Sequence, residues 1–165
     1  MYQPGEFVVY GAHGVCRVAG TEHQVVNRKR TEYLILEPIV QQESKYYIPT
    51  QNALAMSKVH PVLTVEELES LLKSDEIRCG LALPEESVRK QQYRDLICSG
   101  NRNEILKSIS SLYRFRDEQI SAGRKFHQCD ENFLRDAERL IGSEIAQVTG
   151  RTLDEARDYL RSLLK

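Results

Sequence analysis

The hydrophobic period of this chain changes once, near residue 60. Before that point apolar residues alternate with a period of two, as strands require. After it they recur at spacings of three and four, as helices require. A sheet and a set of helices that follow one another without interleaving imply an α+β chain in two parts, at 1–60 and 61–165. The 165 residues suit one large or two small domains, and a hydrophobic fraction of 41% is enough for ordinary cores.

In the first part, Phe7-Val8-Val9-Tyr10 is a short β-rich run, closed by the turn Gly11-Ala12-His13-Gly14. A hydrogen bond from the His13 ring to the turn backbone is the expected role of that side chain. Residues 15–19 form a second run, with Val15, Arg17 and Ala19 on one face and Cys16 and Val18 on the other. Gln24-Val25-Val26 reads as a third, leading into the basic turn Asn27-Arg28-Lys29-Arg30. Residues 31–36 are the strongest strand, ended by Pro38. Gln41-Gln42-Glu43-Ser44 reads as a hairpin loop into Lys45-Tyr46-Tyr47-Ile48, closed by Pro49. Five short strands in so short a span predict a small sheet or barrel. Residues 57–63, which include Pro61, are the candidate hinge.

The second part opens with Thr64-Val65-Glu66-Glu67, a capping box. A helix from about residue 85 stops at Ser99-Gly100, where glycine can take the left-handed cap. Asn101 caps a third helix, a fourth runs from about 130 to 148, and Thr152 with Glu155 caps a fifth. Tyr93, within the second of these helices, is expected in the core or lining a groove.

No GxSxG, HExxH, GxxxxGK[ST] or GxGxxG pattern occurs, and the four histidines are isolated in sequence. Acidic clusters such as Glu66-Glu67-Glu69 stand in first turns, where they offset the helix dipole. Cys16, Cys79, Cys98 and Cys129 form no CxxC pair, so neither a zinc site nor a disulfide is expected. The chain carries no sign of a catalytic site, cofactor or small-molecule substrate. Its opening lacks a secretory pattern and no apolar run approaches the roughly 20 residues that span a bilayer, so the expected location is cytoplasmic. Formal net charge is −1, so a nucleic-acid contact requires a local patch. Residues 87–128 hold nine basic and four acidic side chains, and Lys90 and Arg94 lie one turn apart beside Arg89.

The segment Pro4-Gly5-Glu6-Phe7-Val8-Val9-Tyr10-Gly11-Ala12-His13-Gly14 resembles the opening of the CarD/CdnL transcription regulators, G-D-x-V-V-Y-P-x-H-G, with Glu6 for the aspartate and Gly11 for the proline. That opening is shared with the polymerase-interacting module of transcription-repair coupling factors. Glu32-Tyr33-Leu34-Ile35-Leu36 is similar to the family's E-Y-L-x-L strand, and Tyr47-Ile48-Pro49 to its apolar-Pro ending. Leu96-Ile97-Cys98-Ser99-Gly100 resembles its L-x-x-S-G helix end, and residues 134–146 its L-x-x-A-x-x-x-L-x-x-E-L-A segment, with isoleucine in leucine's place.

The resemblance implies a Tudor/SH3-like β domain that binds the RNA polymerase β subunit, and a helical domain that touches promoter DNA at the upstream edge of the transcription bubble. It places polymerase contacts at Gln24, Lys45, Tyr46 and Tyr47, with arginines of relatives replaced near Gln24 and Tyr47. Strand alternation lets only one of Tyr46 and Tyr47 face a partner. It places weak, sequence-independent DNA contacts on the helix holding Glu86, Arg89, Lys90 and Arg94. Relatives carry a wedging tryptophan in this helix; the chain has none, and the position falls at or near Glu86. Two other readings stand beside this one: an adaptor that binds polymerase or another protein without touching DNA, and a small enzyme with a site invisible in sequence.

Overall fold

The computed structural model describes residues 1–41 and 43–165. The loop read at Gln41-Gln42-Glu43-Ser44 therefore lies partly outside the described residues, at Gln42. The chain divides into two compact units, Met1–Val62 and Leu63–Lys165. The first carries a five-stranded antiparallel sheet and the second is helical, an α+β chain.

The sheet comprises β1 (Phe7–Tyr10), β2 (Val15–Val26), β3 (Lys29–Pro38), β4 (Tyr46–Pro49) and β5 (Val59–Pro61), in the order β4-β3-β2-β1-β5. Four strands run as a meander and the fifth returns to β1, the connectivity of the small Tudor/SH3-like barrels. Its core is one face of this sheet: Val8, Cys16, Val18, Leu34, Leu36, Ile48 and Val59. A short helix, α1 (Ala53–Met56), precedes β5, and Asn52 caps it by accepting from the Ala55 N–H.

Two readings of the sheet change. The runs at 15–19 and 24–26 are one strand, β2, kinked by a bulge: Val18 faces Leu36, and Gly20 already faces Ile35. Ala19 is the extra residue, and Gly20 sits at φ 142°, open to glycine and strained for other residues. A bulge breaks the period of two, which makes one strand read as two. The other change is at 57–63, which holds β5 as well as the boundary between units. Three residues ending in Pro61 are too short to register as a strand, and proline is tolerated there because β5 is an edge. His13 does not bond the turn backbone; its ring stacks on Tyr10 at 5.1 Å and packs tilted against Tyr46 at 4.2 Å, the three rings forming a triangle.

The second unit contains α2 (Val65–Lys73), α3 (Asp75–Cys79), α4 (Glu86–Ser99), α5 (Arg102–Ser121), α6 (Gln128–Thr149) and α7 (Leu153–Leu164). Both capping boxes, Thr64 with Glu67 and Thr152 with Glu155, are formed. Gly100 and Gly150 close α4 and α6 in the left-handed conformation. Ser74 both ends α2 and caps α3, a five-residue helix too short to show periodicity. Leucines and isoleucines from α2, α3, α5, α6 and α7 form a continuous core, in which Leu72, Leu106, Leu112, Ile145 and Leu160 are fully buried. No helix among the described residues is long and apolar enough to cross a membrane.

Cys16 is fully buried in the sheet core, and burial pushes its thiol up to about 11. Cys79 and Cys98 are exposed. Only the thiolate reacts. A soluble thiol reagent at pH 8 is therefore expected to modify Cys79 and Cys98 in the folded protein and to leave Cys16 unmodified until denaturant is added. Peptide mass analysis after timed quenching checks this.

Candidate functional site

On the β unit, the register fixes which side chains share the face opposite the core. Phe7 faces Arg17, which faces Glu37; Gly20 faces Ile35, which faces Tyr47; Gln24 and Tyr33 follow on the same side. Lys45 joins them through an ion pair to Glu37 at 3.2 Å, and Arg17 closes on the same carboxylate at 2.8 Å. Hydrogen bonds from Arg17 and then Lys45 hold the Glu37 carboxyl below the usual carboxylate range. Tyr47 is 45% exposed and meets Tyr33 edge-on at 6.5 Å, and Phe7 is 41% exposed. Phe7, Arg17, Glu37, Pro38 and Ile39 line an open groove on this face.

Gln24, Lys45 and Tyr47 thus lie on one outer face, whereas Tyr46 does not. Its ring points into the sheet core against Tyr10 and His13. Alternation gives the reason: adjacent residues of a strand must take opposite faces. Burial, with Lys58 nearby, holds the His13 imidazole below its ordinary value.

The edge is open at β4. Thr50 donates its N–H to the Glu32 carbonyl at 3.0 Å, so Thr50 and Glu32 form a hydrogen-bonded pair. In an antiparallel ladder such pairs alternate, so Ile48 and Tyr46 face β3 while the N–H and C=O of Tyr47 point away from it. The Pro49 carbonyl also leaves the ladder, and accepts from the Asn52 N–H at 3.0 Å.

Residues 2–60 match the CarD-like/TRCF RID domain family. The N-terminal unit belongs to that family. The match covers this unit, α1 included, and stops before the helices of the second unit. RID domains are protein-interaction modules, and this one marks a transcription-related protein that interacts with RNA polymerase. No curated protein matches the chain.

The helical unit carries the second surface, on α4. Arg89 is not part of it. Arg89 is buried, its Nη1 donating to Asp130 at 2.8 Å and its Nε to the Pro84 carbonyl at 3.1 Å, with Phe115 beneath the guanidinium. Tyr93 donates to the other Asp130 oxygen at 2.8 Å and stacks on Phe133 at 4.2 Å. Burial, and then the Asp130 acceptor, push the Tyr93 hydroxyl strongly up. Lys90 and Arg94 are exposed and line a groove between α4 and α6 whose floor includes Tyr93, Ile97 and Phe133, with Asp136 on the far side. Neither Lys90 nor Arg94 has a side-chain partner among the described residues. Glu86 is exposed in the first turn, 3.7 Å from His127.

Charge counting along residues 87–128 overstates the free positive charge. Arg102 is held by Glu144 through two bonds of 2.7 Å, Lys107 by Glu76 at 2.7 Å, and Arg114 by the Cys79 carbonyl at 2.6 Å. With Arg89, four of the nine cations are therefore structural. The buried acids of α6 were not singled out from the sequence: Asp130 takes Arg89, Glu144 takes Arg102, and a third, Glu138, takes Arg161 of α7. Asp130, Glu138 and Glu144 are all buried on α6, at positions that share its apolar stripe with Phe133, Leu134, Ala137, Ile141 and Ile145. An acid falling inside such a stripe is the signal that finds them.

The two adjacent basic residues should part company in stability measurements. Arg89→Ala leaves the Asp130 carboxylate buried without its cation, and is expected to destabilise the helical unit by about 3–5 kcal/mol. Lys90→Ala and Arg94→Ala should stay within about 0.5 kcal/mol of the unchanged protein. Urea unfolding followed by far-UV circular dichroism measures all three.

Proposed function

We propose that the chain is a transcription adaptor that docks on the RNA polymerase β subunit through the β4 edge and the outer sheet face, and presents Lys90 and Arg94 to promoter DNA near the upstream edge of the transcription bubble, modulating the stability of the open complex. On this reading it works in the cytoplasm, at the nucleoid, held there by polymerase. The observation that carries the reading is the open β4 edge of an RID domain, with the Tyr47 backbone groups unused by the sheet and its ring exposed on the face that also carries Lys45 and Gln24. Extended segments bind such edges by adding a strand, and an aromatic ring with a polar tip supplies contact area.

The DNA half of the reading rests on two exposed cations one helical turn apart, without acidic partners. Two phosphate contacts give a log-log salt slope of about −1.8, roughly twelvefold weaker binding between 50 and 200 mM salt. Such a contact becomes productive when tethering raises the effective concentration to the order of millimolar. Glu86, at or near the position where relatives place a tryptophan, is an exposed carboxylate and cannot stack on a base. The second reading, an adaptor without a DNA contact, gains from the internal pairing of four of the nine cations in residues 87–128.

Tyr47→Asp is expected to weaken binding to purified polymerase at least tenfold with the melting temperature unchanged, because the interface would have to desolvate an unpartnered charge. Tyr46→Asp should instead lower the melting temperature. Calorimetric titration and thermal melts of both variants test the docking face, and a Tyr47→Asp protein that binds normally places docking elsewhere.

Lys90→Glu with Arg94→Glu is expected to abolish the effect on open-complex lifetime while polymerase affinity stays the same. Unchanged lifetimes on a single promoter would favour the adaptor that does not touch DNA.

A further inference from the structure

Beyond the bulge, β2 and β3 continue as a two-stranded ribbon whose tip the docking reading leaves unused. Val26 lies opposite Lys29 and Val25 opposite Arg30, so each face of the ribbon ends in one valine and one cation. All four are exposed, Val25 at 72% and Val26 at 45%. Arg28 stands in the turn itself at φ 62°, a left-handed conformation uncommon for a residue with a long side chain. Arg28, Lys29 and Arg30 have no side-chain partner among the described residues. No acid occurs between Glu22 and Glu32, and Glu32 is turned to Thr50 and His23. Three cations and two valines are thus presented at a point where nothing in the unit uses them. The tip lies four residues along β3 from Tyr33, roughly 13 Å from the β4 edge.

We propose that this tip is a nucleic-acid contact separate from α4: a ribbon that enters a groove of duplex DNA and neutralises phosphates on both walls. Placement decides the class of partner. A flat acidic protein surface can engage one face of a ribbon and leaves the cation and valine of the other face idle. The major groove of duplex DNA admits a two-stranded ribbon and sets phosphates on either side of it. Lys29 and Arg30, on opposite faces, reach opposite walls, and Arg28 extends from the end. The proposal depends neither on polymerase docking nor on Lys90 and Arg94.

The test uses the full chain and a 30-base-pair duplex carrying a fluorophore, with binding followed by anisotropy between 50 and 200 mM salt. Arg28→Gly with Lys29→Gln and Arg30→Gln removes the charge and keeps the turn, since glycine suits the positive φ. This variant is expected to show a log-log salt slope shallower by about 2.7, three phosphate contacts' worth. The same difference should appear when Lys90→Gln and Arg94→Gln are present in both proteins, which separates this contact from that of α4. The charge-keeping pair Lys29→Arg with Arg30→Lys should retain the full slope. An unchanged slope in the charge-removed variant overturns the proposal. So does a loss of slope in the charge-keeping pair, and so does absence of measurable binding by the unchanged protein at 50 mM salt. Loss of polymerase affinity by the charge-removed variant with its DNA slope intact also overturns it, and identifies the tip's partner as an acidic protein surface.

Discussion

The helical unit depends on how it discharges three buried carboxylates of one helix. Asp130, Glu138 and Glu144 lie along α6 with almost no solvent, and a charge so placed costs several kcal/mol unless it is paired and hydrogen-bonded. Each is met from another helix: Asp130 by Arg89 and Tyr93 of α4, Glu138 by Tyr113 of α5 and Arg161 of α7, Glu144 by Arg102 of α5 and the Leu63 N–H. These bonds are directional, whereas the leucine contacts around them are not. They therefore fix the register in which α4, α5 and α7 meet α6. Truncating an acid strands an arginine, and truncating an arginine strands an acid, so the pairs behave as joints rather than as interchangeable surface charges.

This economy of charge also limits what the unit offers a polyanion. A cation committed to a carboxylate inside the fold cannot serve a phosphate outside it. Arg89 and Lys90 are neighbours in sequence, yet Arg89 reaches Asp130 and Lys90 reaches solvent. On a helix, adjacent residues are about 100° apart, so a basic pair is split whenever one of its members falls on the buried stripe. The free cations of this stretch are thus fewer than its composition suggests, and those on α4 are Lys90 and Arg94.

The same geometry explains which features were legible in the sequence. Long elements with clean periods and chemical punctuation were: the capping boxes at Thr64 and Thr152, the glycine stops at Gly100 and Gly150, and the strand ending at Pro38. β5 and α3 were not, because three and five residues are too few to display a period. β2 was divided by its bulge, which shifts the alternation at Ala19. At the outer sheet face, Gln24, Lys45 and Tyr47 could be named from the resemblance and the opposed directions of Tyr46 and Tyr47 from alternation. The ion triad of Arg17, Glu37 and Lys45 could not, because it joins three strands whose register only the folded sheet defines. The buried acids of α6 were the largest omission. They register as an interruption of an apolar stripe, and the side chains that hydrogen-bond them are 23 to 42 residues away.

An exposed sheet edge is a hazard, because unpaired backbone groups invite any extended chain. Here the exposure is restricted. β4 has four residues, begins beside Lys45 and ends in Pro49, which has no N–H to give and whose carbonyl is already taken by Asn52. Within β4, Tyr47 supplies the outward N–H and C=O pair. At about 0.5–1.5 kcal/mol net per hydrogen bond, so short an added ladder binds weakly on its own. Specific affinity for a partner at this edge must come from side chains of the adjoining face, where Tyr47, Tyr33 and Phe7 share the surface with an ion triad that is already internally paired. The paired triad makes the face polar without leaving it strongly charged. That condition suits a docking surface which has to stay in solution when free and lose its water when bound.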